Sequence, residues 1–103
     1  WLGRHRYFEL GYVTDAQGRQ LVDNLVCRDG KITRDPAGLG RRWGERAWFR
    51  DALRARATVC SDLYRSSATD DFCFTVSTPL CDTAGRIVGV FASDVNFQRL
   101  VAA

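Results

Sequence analysis

Histidine occurs once in this chain, at His5, and lysine once, at Lys31, among 103 residues. A single imidazole offers no histidine pair to a metal centre. There is also no G-x-S-x-G elbow, no phosphate-binding loop and no pair of carboxylates at catalytic spacing, so catalysis is not expected of this chain. The four cysteines, Cys27, Cys60, Cys73 and Cys81, form no C-x-x-C pair. A structural zinc site normally draws on two such clusters, so no metal is expected. Cys60 and Cys73 would lie on neighbouring strands, but folding those strands about Ser66 to Thr69 does not bring them opposite each other, and free, partly buried thiols are expected over a disulfide. With one lysine, the net charge of +3 rests on arginines scattered from Arg4 to Arg99, Arg41-Arg42 being the only adjacent pair. A nucleic-acid binder would gather its arginines on one helix or ribbon, so no nucleic-acid partner is expected. No apolar run approaches the roughly 20 residues of a membrane helix. Haem would find only His5 as a ligand, no cysteine stands in an obvious photoactive motif, and no cofactor is expected.

What remains is the composition of one soluble module, with 46% hydrophobic and 26% charged residues. A chain of this length buries a single core. It begins at Trp1 rather than Met, and is read as one domain over residues 1–103 of a larger protein, with its targeting segments elsewhere. Residues 1–9 read as the end of an N-terminal helix or linker. Leu10 to Thr14 and Arg19 to Val26 are extended runs joined by Asp15-Ala16-Gln17-Gly18, a turn closed by Asp and by a glycine with positive φ. Cys27 to Gly44 is dense in breakers and predicts a long irregular connection, a candidate pocket wall. Trp48, Phe49, Ala52 and Leu53 recur at helical spacing and predict a helix over Glu45 to Arg56 with an aromatic inner face. Thr58 to Arg65 and Phe72 to Thr78 read as a hairpin about Ser66 to Asp71, ended by Pro79. Asp82-Thr83-Ala84-Gly85-Arg86 repeats the chemistry of the first turn. It opens Arg86 to Val95, which is apolar on both faces and therefore predicted to be central. Residues 97–103 read as the start of an exit helix. The sum is an α+β fold, a five-stranded antiparallel sheet with a helical connection after the second strand and flanking terminal helices.

Alternation along the last strand puts Ile87, Gly89, Phe91 and Ser93 on one face and Val88, Val90, Ala92 and Asp94 on the other. Asp94 ends an apolar row, so it either caps the exit helix or meets a ligand. Asp62 and Tyr64 share a face with Thr58 and Cys60, which turns Tyr64 toward the space beneath the Trp48 helix; a core tyrosine with a wet hydroxyl is the alternative. Arg46 stands two residues before Trp48, an arrangement suited to a ligand carboxylate, or else a solvated helix arginine.

The succession of Arg46-Ala47-Trp48-Phe49, Tyr64, Thr75 to Pro79, Asp82 to Gly85 and Gly89 to Asp94 resembles the Cache sensor domains, PAS-like extracytoplasmic modules of bacterial receptors. The likeness spans roughly residues 9 to 97. It implies a PAS-like sheet and a ligand-binding role. In amino-acid-sensing members an Arg and a Trp bind the ligand carboxylate, while a Tyr and a final-strand Asp hold its amine. Arg46, Trp48, Tyr64 and Asp94 match these in order. Arg41 stands where a tyrosine is usual, Phe49 has lost a tyrosine hydroxyl, and Ser66 replaces an aspartate near the amine. More positive and less negative charge suits an anion better than a zwitterion. The expected ligand is a small carboxylate-bearing metabolite, an organic acid or an amino acid, contacted by Arg41, Arg46, Trp48, Phe49, Asp62, Tyr64, Ser66 and Asp94. The resemblance further implies an extracytoplasmic (periplasmic) domain of an inner-membrane receptor, a homodimer being open, whose kinase, cyclase or chemotaxis output lies beyond Ala103. Two alternatives stay open: a ligand-free PAS-like dimerisation module in which Trp43, Trp48 and Phe49 are core, and a cytoplasmic PAS domain carrying haem or flavin.

Overall fold

The computed structural model describes residues 8–28, 31–65 and 71–102. Most of the expected N-terminal helix end and Ser66, with the turn that holds it, lie outside the described residues. The strands are β1 (Phe8–Asp15), β2 (Asn24–Arg28), β3 (Lys31–Asp35), β4 (Val59–Cys60), β5 (Tyr64–Arg65), β6 (Phe72–Cys81) and β7 (Ile87–Asn96). The helices are α1 (Ala47–Ala55) and α2 (Phe97–Ala102). All the strands pair antiparallel, in the order β3-β2-β1-β7-β6-β4, with β5 also on β6. The α+β architecture and the helical connection match the sequence reading. The five expected strands are present with two elaborations. Within the Cys27 to Gly44 connection the chain makes an extra edge strand, β3, and a 3-10 turn at Pro36–Gly38, and the Thr58 to Arg65 run is broken into β4 and β5. Three boundaries also move. Phe8 and Glu9 belong to β1 and not to a helix, the second run begins at Asn24 and not at Arg19, and β6 continues through Pro79. Proline is tolerated there because β4 ends opposite Ser77, which leaves one flank of β6 without a neighbouring strand beyond that point.

Both predicted aspartate turns form, with the same chemistry. Asp15 Oδ1 accepts from the amides of Gln17 and Arg19, and Asp82 Oδ1 from those of Ala84 and Arg86. Gly18 and Gly85 supply φ of 90° and 82°. These turns set the register of the sheet centre, where β7 lies between β1 and β6. Gly89 is needed there for closeness: a Cβ at this position would sit 2.1 Å from the Thr14 carbonyl oxygen. Gly89→Ala is expected to force β1 and β7 apart and cost about 1–3 kcal/mol, as overpacking typically does. Urea denaturation of the variant measures the loss.

The sheet has two dissimilar faces. On one, α1 packs Phe49 and Ala52 onto Val90, with Trp48, Leu53 and Val59 around them. The helix is pinned by Ser77, whose hydroxyl donates to the Trp48 carbonyl at 2.8 Å. Its C-terminus is closed by Arg56 in the left-handed region, with a guanidinium that donates to the Gly85 carbonyl at 2.8 Å. On the other face Phe8, Cys27 and Val95 form a core with Leu25, Phe74 and Val76. Beside that core an apolar groove of about 360 Å³ is lined by Phe8, Val76, Thr78, Leu80 and Phe91 among others. No disulfide joins the four cysteines, and Cys60 pairs with Val76 rather than standing opposite Cys73.

Candidate functional site

Three successive rungs of the sheet build the α1 face. Tyr12, Ala92 and Ser77 stand side by side, then Leu10, Asp94 and Thr75, then Asn96 and Cys73 with Tyr64 beyond it. The middle rung places Asp94, 7% exposed, among hydroxyls. Tyr12 donates to Asp94 Oδ2. Thr75 Oγ1 and the Tyr64 hydroxyl reach Asp94 Oδ1 at 2.9 and 3.1 Å, and lie 2.8 Å from each other. Tyr64 is 40% exposed along its ring but turns its hydroxyl inward to Asp94. Capping of α2 does not fall to Asp94: Asn96 Oδ1 accepts from the Arg99 amide at 2.9 Å.

Above this carboxylate lies an aromatic wall. Tyr12 is 5.4 Å from Trp43 and 6.1 Å from Trp48 between ring centroids, and the two indoles are 5.8 Å apart. Trp43 is fixed by its Nε1, which donates to Gln20 Oε1 at 2.9 Å. Two guanidiniums lie over the same indole, Arg41 at 5.1 Å and Arg46 at 5.6 Å from its centroid. Arg46 is also the residue at the cap position just before α1, where no side chain caps the helix and no acidic residue stands in the first turn. That end is therefore electropositive.

Of the residues singled out in the sequence, Arg41, Arg46, Trp48, Tyr64 and Asp94 form one chain of contacts through Trp43 and Tyr12. Phe49 stands apart, 4% exposed in the core beneath Trp48, which it meets edge-on at 6.2 Å. Asp62 is exposed on the segment between β4 and β5. Four residues of the site were not anticipated in the sequence: Tyr12, Gln20, Trp43 as a wall rather than core, and Thr75. Alternation within the two strands would have put Tyr12 and Thr75 on a common face with their neighbours, but nothing local says that β1 pairs with β7.

The electrostatics of Asp94 follow from its burial. Desolvation pushes its pKa up from the ordinary carboxylate value. The hydrogen bonds from Tyr12, Thr75 and Tyr64 oppose this, and the Glu9 carboxylate adds to it. Both phenols are also raised, first by burial and then by the Asp94 charge, so they remain protonated donors. A carboxyl whose folded pKa is raised binds more protons in the native than in the unfolded state. Its contribution to stability is thus highest in acid and falls as pH rises from the ordinary carboxylate value through the raised one. The stability of wild type relative to Asp94→Asn is expected to fall in that direction over that interval, as measured by urea denaturation at a series of pH values. A difference independent of pH would contradict the assignment.

Comparison with known proteins bears on this geometry. The sequence profile of the family described as "Methyl-accepting chemotaxis protein-like, first PDC sensor domain" matches residues 5–102. Among solved structures, the Bacillus subtilis YkuI protein with an EAL domain, in complex with c-di-GMP and calcium, superposes with a TM-score of 0.75 at 24% identity. That match covers 93% of this chain and 24% of the other. The ligand-binding domain of a Campylobacter jejuni chemoreceptor in complex with L-valine gives a TM-score of 0.65 at 18% identity, over 90% of this chain and 36% of the other. The ligand-binding domain of the Pseudomonas aeruginosa amino acid chemoreceptor PctC in complex with GABA gives 0.60 at 24% identity, over 92% and 40%. A curated relative, the citrate (Re)-synthase of Syntrophus aciditrophicus, is 30% identical over 93 residues, which are 90% of this chain and 15% of that protein. The present chain thus spans a small part of each of these proteins, and the likeness lies in this one domain. With nearly its whole length matched by the family profile, and with the PAS-like sheet that profile implies, this chain belongs to the first PDC sensor domains of the methyl-accepting chemotaxis protein-like family.

Proposed function

We propose that this domain binds a small carboxylate-bearing metabolite, an organic acid or an amino acid, between Arg46 and Asp94, and passes its occupancy to α2. The observation that carries this reading is the convergence of four chemistries. A guanidinium and two indoles stand at one end, and a phenol and a buried carboxylate with its hydroxyls at the other. The ligand carboxylate meets Arg46 beside Trp48, where a planar fork of donors matches it. Its second polar group, a hydroxyl or an amine, meets Asp94 and Tyr64. Both L-valine and GABA, named with the solved neighbours, carry a carboxylate, which supports that end of the arrangement. In this reading residues 1–103 are one sensor unit of an extracytoplasmic (periplasmic) receptor anchored in the inner membrane.

The route outward runs one rung further along β7. A bulge between Phe8 and Leu10 leaves Glu9 as the extra residue of β1. The Glu9 carboxylate is buried, and it accepts from Asn96 Nδ2 at 2.7 Å and from the Arg99 guanidinium at 3.3 Å. Asn96 in turn holds the first turn of α2. Strand and exit helix are thus clasped two residues from Asp94, close enough that the Glu9 charge acts on it. A ligand that binds one arrangement tenfold better shifts the balance by about 1.4 kcal/mol, which one or two contacts supply. Glu9→Gln keeps the shape and removes the charge. It is expected to leave ligand affinity largely unchanged while abolishing the ligand-induced change in amide hydrogen exchange of α2.

Calorimetric titration of the domain against a panel of amino acids and organic acids tests the reading. A carboxylate ligand should bind, and Arg46→Gln should weaken it strongly. Tight binding of an amino acid with no organic acid response would reject the organic acid half of the proposal, and no binding at all would favour a ligand-free dimerisation module.

A further inference from the structure

We infer that Arg41 and Arg46 form a two-pronged clamp across Trp43 that selects ligands bearing two negative charges, a small diacid or a phosphate-bearing acid. The inference rests on the proposed function and narrows the class of ligand. Arg34, Arg54, Arg86 and Arg99 each stand within ion-pair distance of a carboxylate. Arg41 and Arg46 have no carboxylate that near among the described residues. Both are exposed, yet both lie within 5.6 Å of one ring centroid. Each gains a cation–π contact there, while the two like charges are held on one platform with no counter-ion among the described residues.

That platform is rigid. Gln20, 1% exposed, spends its side chain on holding it: Oε1 accepts from Trp43 Nε1, and Nε2 donates to the Val22 carbonyl at 2.8 Å and to Asn24 Oδ1 at 2.7 Å. Its backbone fixes Arg41 from both sides, as the Gln20 amide donates to the Arg41 carbonyl at 2.8 Å and the Gln20 carbonyl accepts from Gly40 at 3.0 Å. The Arg46 amide donates to the Trp43 carbonyl at 2.9 Å. Two cations preset around one indole require little ordering when an anion arrives. One carboxylate satisfies one guanidinium. A second anionic group, or a phosphate with its additional oxygens, satisfies both.

The test is a set of calorimetric titrations with succinate, butanoate, inorganic phosphate and L-valine on wild type, Arg41→Gln and Arg42→Gln. Arg42 is an exposed neighbour that loses the same charge without lying on the indole. Succinate or phosphate is expected to bind wild type at least about tenfold more tightly than butanoate or valine, a difference of about 1.4 kcal/mol. Arg41→Gln should collapse that ratio to about twofold or less by weakening succinate and phosphate far more than butanoate; Arg42→Gln should leave the ratio intact. Phosphate binding without succinate binding assigns the clamp to phosphate-bearing ligands, and the reverse to diacids. Equal binding of succinate and butanoate, valine binding above every dianion, or equal loss from Arg41→Gln and Arg42→Gln overturns the clamp and leaves carboxylate binding standing. Failure of every carboxylate to bind wild type overturns both.

Discussion

Asp94→Asn is expected to cost about 10- to 100-fold in ligand affinity while leaving the unliganded domain as stable as wild type or slightly more so above the acidic range. The two halves have one cause. Burial raises the energy of the Asp94 carboxylate, which three hydroxyls only partly offset, so a neutral amide of the same shape removes a cost from the unliganded fold. The same substitution removes a charged acceptor for the ligand, and hydrogen bonds to charged groups contribute about 1.5–3 kcal/mol. A residue retained only for packing would show the opposite pattern, with stability lost and binding intact. Calorimetry on the variant, beside its thermal unfolding, distinguishes the two.

Phe49→Ala should have the largest effect on stability of any single change in the α1 face. Phe49 is sealed between Ala52, Val90 and the edge of Trp48. Truncating a fully buried phenylalanine typically costs about 3–5 kcal/mol, the transfer term plus the cavity left behind. In a domain whose whole stability is about 5–15 kcal/mol, that removes a large share. At roughly 4–8 °C per kcal/mol for a chain of this size, Tm should fall by roughly 12–40 °C. Phe49→Leu keeps most of the volume, and should bind ligand with nearly wild-type affinity. Unchanged Tm in the alanine variant, or lost binding in the leucine variant, would move Phe49 from the core into the ligand contacts. Trp48, half-buried one residue earlier in the same helix, should behave the other way, because its ring forms the wall.

How much of this was legible in the sequence depends on whether the controlling physics is local. The two aspartate turns were readable because Asp and Gly act within four residues, and both formed with the same bonding. The periods of β7 and α1 were readable too, since alternation and helical spacing put Asp94 on the face that α1 covers. Strand β3 was not legible. Lys31 to Asp35 is exposed throughout, so no buried face imprints an alternating pattern on it. The course of β6 through Pro79 was hidden for a related reason: whether a proline costs a ladder bond depends on which flank has a neighbour, and that is set elsewhere in the chain.

The site shows the same division. Arg46, Trp48, Tyr64 and Asp94 were picked out by their order along the chain. Tyr12 was missed because its contact with Asp94 bridges 82 positions and exists only through the pairing of first and central strands. Gln20 was missed because its role is to hold Trp43 from a turn, and no motif marks a residue that acts only by fixing another.

The sheet offers a competing place for a ligand, the apolar groove of about 360 Å³ on the opposite face, where Val76, Thr78 and Phe91 alternate with the residues around Asp94. A crystal structure of the domain with the tightest carboxylate from the titrations decides between the two faces. The account predicts ligand density bounded by the Arg46 guanidinium, the Trp48 ring and the hydroxyls around Asp94. Density in the groove beside Phe8 and Phe91, with Arg46 and Asp94 untouched, would contradict it.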